Sequence, residues 1–255
     1  MIEIRTIQMG ECEEFLRLLC KVFSLDFRRA YDVFFKEPMF DLNRKWAVFE
    51  DGVIVSTLTT VSALFGDGRG IGIAGVATEP EKQGMSLATM LLQEVLRQSE
   101  SRGEPRALLF AANENLYVRC GFRVLDAIVT QPLPKAKSGS DPDLISREQV
   151  RSIFDAWSEE KPYRLRRDDR RWDHWRWNLK TVYGQMSGYV CHELGRVREV
   201  LPAYEGLPSV ERAEWYGQRS LAEDLGIELT DPRKEMNLMG RGFDRTPHMF
   251  LTDQF

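Results

Sequence analysis

Apolar positions change period several times along the chain, and those changes divide it into elements. Phe15, Leu18, Leu19, Val22 and Phe23 recur at helical spacing, which predicts an amphipathic helix over residues 12–22 after a short first strand. A second helix is expected over residues 28–36, ended by Pro38. The period then drops to that of strands. Residues 46–49 read as a strand, Asp51-Gly52 as a tight hairpin, and residues 53–65 as a long β-branched return. A glycine-rich turn at 66–70 leads to another strand at 71–78, giving an antiparallel meander. Residues 86–101 return to helical spacing, with Leu87, Leu91 and Val95 on one stripe and Gln93, Glu94 and Arg97 facing out. A buried strand at 106–112, a short helix at 114–119 closed by Gly121, and a last strand at 122–130 complete an α/β (α+β) domain ending near residue 134.

Residues 131–143, with three prolines and Ser138-Gly139-Ser140, have linker composition. Beyond them the pattern predicts a second α+β unit over residues 145–255. Its expected elements are a helix at 146–159, strands at 187–191 and 197–201 turning at Gly195, a helix at 215–225, and strands at 236–239 and 248–252. Their order reads as a degenerate echo of the first half.

The chain of 255 residues is long enough for one large domain or two small ones. Its formal net charge of -4 and pI of about 5.6 argue against a global attraction to nucleic acid or anionic membrane. Cys12, Cys20, Cys120 and Cys191 are scattered, as are His174, His192 and His248, so neither a disulfide framework nor a metal site is expected. The N-terminal residues lack a signal-peptide pattern and no apolar run is long enough to span a bilayer, which makes a cytoplasmic protein the expectation. Between Lys161 and Arg176 seven basic residues alternate with tryptophans and three aspartates. Three readings of this stretch are a nucleic-acid contact, a basic helix bordering a substrate cleft, and a solvated helix. The last is the simplest, with Trp172 and Trp175 as core contacts.

The run Gly75-Val76-Ala77-Thr78-Glu79-Pro80-Glu81-Lys82-Gln83-Gly84-Met85-Ser86-Leu87-Ala88 carries chemistry. A strand ends at Thr78, a polar loop follows and a helix opens near Ser86. The first N–H groups of a helix lack intrahelical partners and sit at the positive end of its dipole, a setting suited to a pyrophosphate. Gly84 presents bare backbone, and small Ser86 and Ala88 keep the first turn open. A plain strand-to-helix turn has the same elements, so the physics alone leaves both readings open.

This run resembles the acetyl-CoA signature of the GNAT superfamily: Gln or Arg, two residues, Gly, one residue, then Gly or Ala. Gln83 and Ala88 match its ends, and Ser86 stands at the middle Gly. Residues 113–122, ending Leu116-Tyr117-Val118-Arg119-Cys120-Gly121-Phe122, resemble the superfamily helix whose tyrosine protonates the departing CoA thiolate. Within the superfamily the chain is most similar to the Eis-like branch, in which a second GNAT-like unit follows the first. There is no room here for that branch's third, sterol-carrier-like domain. The resemblance is close over residues 1–130 and loose beyond.

It implies a mixed, mostly antiparallel sheet flanked by helices, followed by a second, degenerate GNAT-like α+β unit. It also implies an acetyl-CoA-dependent N-acetyltransferase that moves acetyl directly to a primary amine. The loop Gln83, Gly84, Met85, Ser86, Leu87 and Ala88 would hold the pyrophosphate. Val76, Ala77 and Thr78 would guide the pantetheine arm and polarise the thioester carbonyl. Asn113 would contact CoA or cap its helix, and Tyr117 would be the general acid. The expected partner is a small-molecule or peptide amine lined by the second unit, with no nucleic acid and no membrane, and homo-oligomerisation is left open. A catalytically inactive acyl-CoA-binding or sensor protein is the alternative reading, and the general base is not identified.

Overall fold

Strand β1 (Ile2–Thr6) is followed by α1 (Cys12–Phe23), whose stripe of Cys12, Phe15, Leu16 and Leu18 is buried and which ends at Ser24 in a left-handed conformation. Helix α2 (Phe27–Lys36) starts where the Asp26 side chain accepts the Arg29 N–H at 2.7 Å. The meander comprises β2 (Lys45–Glu50), β3 (Val53–Phe65) and β4 (Gly68–Thr78). Asp51 and Gly52 both take positive φ, as a tight hairpin between twisted strands requires. Then come α3 (Leu87–Ser101), β5 (Arg106–Ala111), α4 (Asn115–Arg119) and β6 (Arg123–Pro132). A computed structural model provides these coordinates and describes residues 1–133, 145–178, 182–185, 188–203 and 213–255. Most of the expected linker therefore lies outside the described residues. Its first two residues, Gln131 and Pro132, instead finish β6.

The second half holds α5 (Arg147–Glu160), β7 (Leu165–Arg166), α6 (Asp169–Asn178), β8 (Val182–Gln185), β9 (Gly188–Glu193), β10 (Arg196–Leu201), β11 (Glu214–Gln218), α7 (Arg219–Asp224) and β12 (Arg233–Arg241). Two expectations are corrected. The helix expected at 215–225 is a strand as far as Gln218, because Trp215 and Tyr216 pair with Gln131 and Thr130 of β6 and Trp215 is fully buried. Helical spacing holds only from Leu221. The strand expected at 248–252 is a single bridge of His248 to Arg164 and then a 3₁₀ turn, Leu251–Asp253.

All twelve strands among the described residues join one sheet, ordered β1-β2-β3-β4-β5-β12-β6-β11-β10-β9-β8 with β7 on β3. The order has an internal symmetry. In the first half β4 runs parallel to β5, and in the second β10 runs parallel to β11. Each half's final strand then crosses over: β12 lies between β5 and β6, and β6 lies between β12 and β11. The halves thus exchange their last strands, and the sheet passes through both without a break.

Helix α3 covers one face of β2–β5, with Leu87, Leu91, Leu92 and Val95 packed on Trp46, Leu58, Ile71 and Leu109. Helices α1 and α2 cover the other face. The second core gathers Trp157, Trp172, Trp175 and Trp215. The Arg/Trp stretch is not a solvated helix. Arg164, Arg167 and Arg171 are buried. Arg167 forks onto Glu199 (2.6 and 3.1 Å) and Asp253 (2.7 and 2.9 Å), and Arg171 donates to the backbone oxygens of Ser62 and Asp253. Arg167 ties α6 to β10 and the last turn inside the second half, and Arg171 fastens α6 to the first half through Ser62, because a buried guanidinium needs polar partners.

Candidate active site

The site begins where β4 and β5 part. They pair from Gly70 with Arg106 to Ile73 with Leu109, and no pairing continues past that point. At Gly75 the backbone turns to φ +59°, and the β3–β4 register shifts between Thr57 and Thr59. The Thr57 hydroxyl donates to the Gly75 carbonyl (3.3 Å) and the Ser56 hydroxyl to the Ala77 carbonyl (2.9 Å). Those bonds hold the diverging strand on β3, leaving the edge of Val76–Thr78 toward β5 without ladder partners. A Cβ on Gly75 would press on Leu19 of α1 at 3.2 Å, so a close helix approach and a positive φ both favour glycine there.

Past Thr78 the chain makes a 3₁₀ turn, Pro80–Lys82, and reaches Gly84 at φ +82°. Beyond its own chain neighbours, no atom lies within 4 Å of where a Cβ on Gly84 would stand. Ser86, the N-cap of α3, is also left-handed (φ 62°, ψ 11°) and makes no side-chain cap bond. This explains the glycine of the signature pattern at this position, since the left-handed region carries a steric penalty for any side chain. The first helical bond runs from Met90 N–H to Ser86 O, so the N–H groups of Leu87, Ala88 and Thr89 have no intrahelical acceptor. Gln83 folds back, its amide donating to Thr78 O at 3.4 Å.

These parts border an open cavity of about 350 Å³. Val76, Ala77, Thr78, Gln83, Gly84, Ser86, Leu87, Ala88 and Tyr117 line it together. Two expected residues do not. The Met85 side chain is exposed, and the Asn113 side chain accepts the Asn115 N–H (3.0 Å) in the turn before α4. Sequence reasoning missed Val22, Lys82, Thr89, Asn115, Leu116 and Arg119, which also line the cavity. The two cations, Lys82 and Arg119, lie within the two singled-out runs, and their charge there was the available signal. Free helix N–H groups, an open glycine and two basic side chains, Arg119 and the Glu50-paired Lys82, match what a pyrophosphate-bearing ligand requires. Among the described residues no cluster of His, Cys, Asp and Glu is placed to hold a metal ion.

Tyr117 projects from α4, half-buried against Phe122 with ring centroids 6.1 Å apart. Burial raises its phenol pKa above the ordinary 10, so it holds its proton at neutral pH. Helix α4 closes at Gly121 (φ +82°), where Cys120 and Phe122 return N–H bonds to Tyr117 O. At the strand end, Glu79 is ion-paired with Lys21. On the sheet face away from α3, the Phe255 ring lies 5.4 Å from that of Phe110, and a Cβ on Gly72 would fall inside it. The end of the second half therefore packs on β4 and β5 just before they part.

Residues 3–125 match the family model of the acetyltransferase (GNAT) domain. No curated protein sequence matches the chain. Among solved structures, a GCN5-related N-acetyltransferase from Kribbella flavida superposes with a TM-score of 0.71 at 16% identity, covering 94% of this chain and 70% of that one. A GCN5-related N-acetyltransferase from Anabaena variabilis gives 0.69 at 15%, covering 94% and 72%. Eis1 from Mycobacterium abscessus gives 0.63 at 18%, covering 92% and 73%. At these identities the likeness is one of fold, and it extends over both halves. No helix among the described residues is long and apolar enough to cross a membrane.

Proposed function

Residues 3–125 belong to the GNAT acetyltransferases, and on that premise we propose that the protein transfers acetyl from acetyl-CoA directly to a primary amine. The observation that carries this reading is the cavity at the parted strands, where the free N–H groups of α3 and Tyr117 face one space. The loop from Gln83 to Ala88 and the free N–H groups at the start of α3, with Lys82 and Arg119, hold the pyrophosphate. The free edge of Val76–Thr78 accepts the pantetheine arm and directs backbone N–H groups at the thioester carbonyl, stabilising the oxyanion as it forms. The amine lone pair attacks that carbonyl carbon, the C–N bond forms and the C–S bond breaks. Tyr117 gives its proton to the departing thiolate, and the amine proton leaves to solvent.

The second half shapes the acceptor side, a role supported by Phe255 against Gly72 and Phe110. The acceptor is a small molecule or a peptide amine. One observation favours a CoA-binding protein without transfer: Glu79 is engaged by Lys21 and Glu114 by Asn237, so neither carboxylate is free to serve as base. A panel of amines with acetyl-CoA, followed by thiol release, separates the two. Acetylated product supports transfer. CoA binding with no turnover on any amine supports the second reading.

A further inference from the structure

The geometry points to Asn237, from the second half, as the positioning residue that sets the helix carrying Tyr117. This inference rests on the reading of Tyr117 as the general acid. Strand β12 places Asn237 opposite Ala111, the last residue of β5, and beside Ala127 of β6. Its side chain is 2% exposed, and its amide nitrogen donates to the Glu114 carboxylate at 2.5 Å. Among the described residues Glu114 has no other side-chain partner. The Glu114 carbonyl in turn accepts the N–H groups of Tyr117 and Val118, both at 3.0 Å.

Helix α4 is five residues long, too short to hold itself by its own ladder. Its direction is set by what anchors its ends. Gly121 fixes the C-terminal end, and the Asn237–Glu114 bond is the anchor at the N-terminal end. Packing does not explain an asparagine in this slot. The Asn237 Oδ1 is buried with no partner, a cost that an apolar side chain between two alanines would avoid. What the asparagine supplies is the N–H donor to Glu114. The exchanged strand thus links the second half to the position of the Tyr117 hydroxyl.

The test uses the full chain and two readouts: amide hydrogen exchange over residues 115–119, and steady-state turnover on an amine found by screening. Asn237→Asp sets two carboxylates face to face. It is expected to speed exchange at Tyr117 and Val118 at least about 10-fold and to lower kcat by a similar factor, with CoA affinity nearly unchanged. Combining Asn237→Asp with Glu114→Gln restores the bond with donor and acceptor exchanged, and should return both readouts to within about threefold of wild type. A double variant no better than Asn237→Asp alone overturns the proposal, as does wild-type exchange in Asn237→Asp. Asn237→Leu keeps the branched shape of the side chain and removes the donor, so it covers a failure of the aspartate variant to fold. Wild-type exchange and kcat in that variant also overturn the assignment. Full turnover in Tyr117→Phe would instead remove the acid reading, while the exchange data would still judge the Asn237 link.

Discussion

Ending the chain at Leu133 removes β12 from between β5 and β6 and β11 from the outer edge of β6. Phe65, Leu108, Ile128 and Val129, each at 2% exposure or less, lose their second-half neighbours, among them Leu165, Leu238, Phe243 and Trp215. At roughly 1.5–3 kcal/mol per large side chain, exposing half of that surface costs about 3–6 kcal/mol. The five ladder positions between β12 and β5 go as well, leaving a fully apolar strand edge bare. A domain stable by about 5–15 kcal/mol does not keep a comfortable margin after such a loss. The fragment 1–133 is therefore expected to aggregate, or to unfold without a cooperative urea transition when followed by Trp46, its one tryptophan. Co-expression with residues 134–255 should recover a soluble complex, because the two pieces complete each other's sheet. A monomeric 1–133 with a cooperative transition and the full chain's CoA affinity would refute the argument from strand exchange.

Gly84→Trp should raise the CoA dissociation constant at least about 100-fold, because the side chain fills the open space against the loop backbone. Titration calorimetry checks it, with circular dichroism confirming the fold. Tyr117→Phe should lower kcat by about 10²- to 10⁴-fold with CoA affinity unchanged. Since burial raises the phenol pKa, wild-type kcat should show no loss below pH 10 from Tyr117 giving up its proton, and a pH–rate profile tests that sign. Arg167→Met leaves Glu199 and Asp253 buried without their shared cation, and should cost about 3–5 kcal/mol in urea unfolding.

The first half was largely legible because its signals are local. Asp51-Gly52, the stripe of α1 and the glycine closing α4 each act within a few residues. The strand–turn–helix geometry at Gly84 and Ser86 was legible for the same reason. What the sequence did not show depends on distant partners. Residues 215–218 hold two strand-favouring aromatics, Trp215 and Tyr216, but the run is too short to mark a strand until β6 offers it a ladder. The Arg/Trp stretch looks solvated until Glu199 and Asp253 arrive, 32 and 86 residues after Arg167. The exchange of β6 and β12 is a matter of register between halves, which no local pattern records. Within the site, Met85 belongs to the loop by sequence, yet the turn at Gly84 and Ser86 sends its side chain outward.

The central claim is that the loop from Gln83 to Ala88 holds the pyrophosphate of CoA. The most direct measurement is calorimetric titration of CoA into the full chain, with a pantetheine fragment lacking the pyrophosphate as the comparison. Saturable one-site binding of CoA is expected, with at least about 100-fold weaker binding of the fragment, since several charge-assisted bonds are lost. No heat at millimolar CoA, or equal affinity for the two ligands, would contradict it.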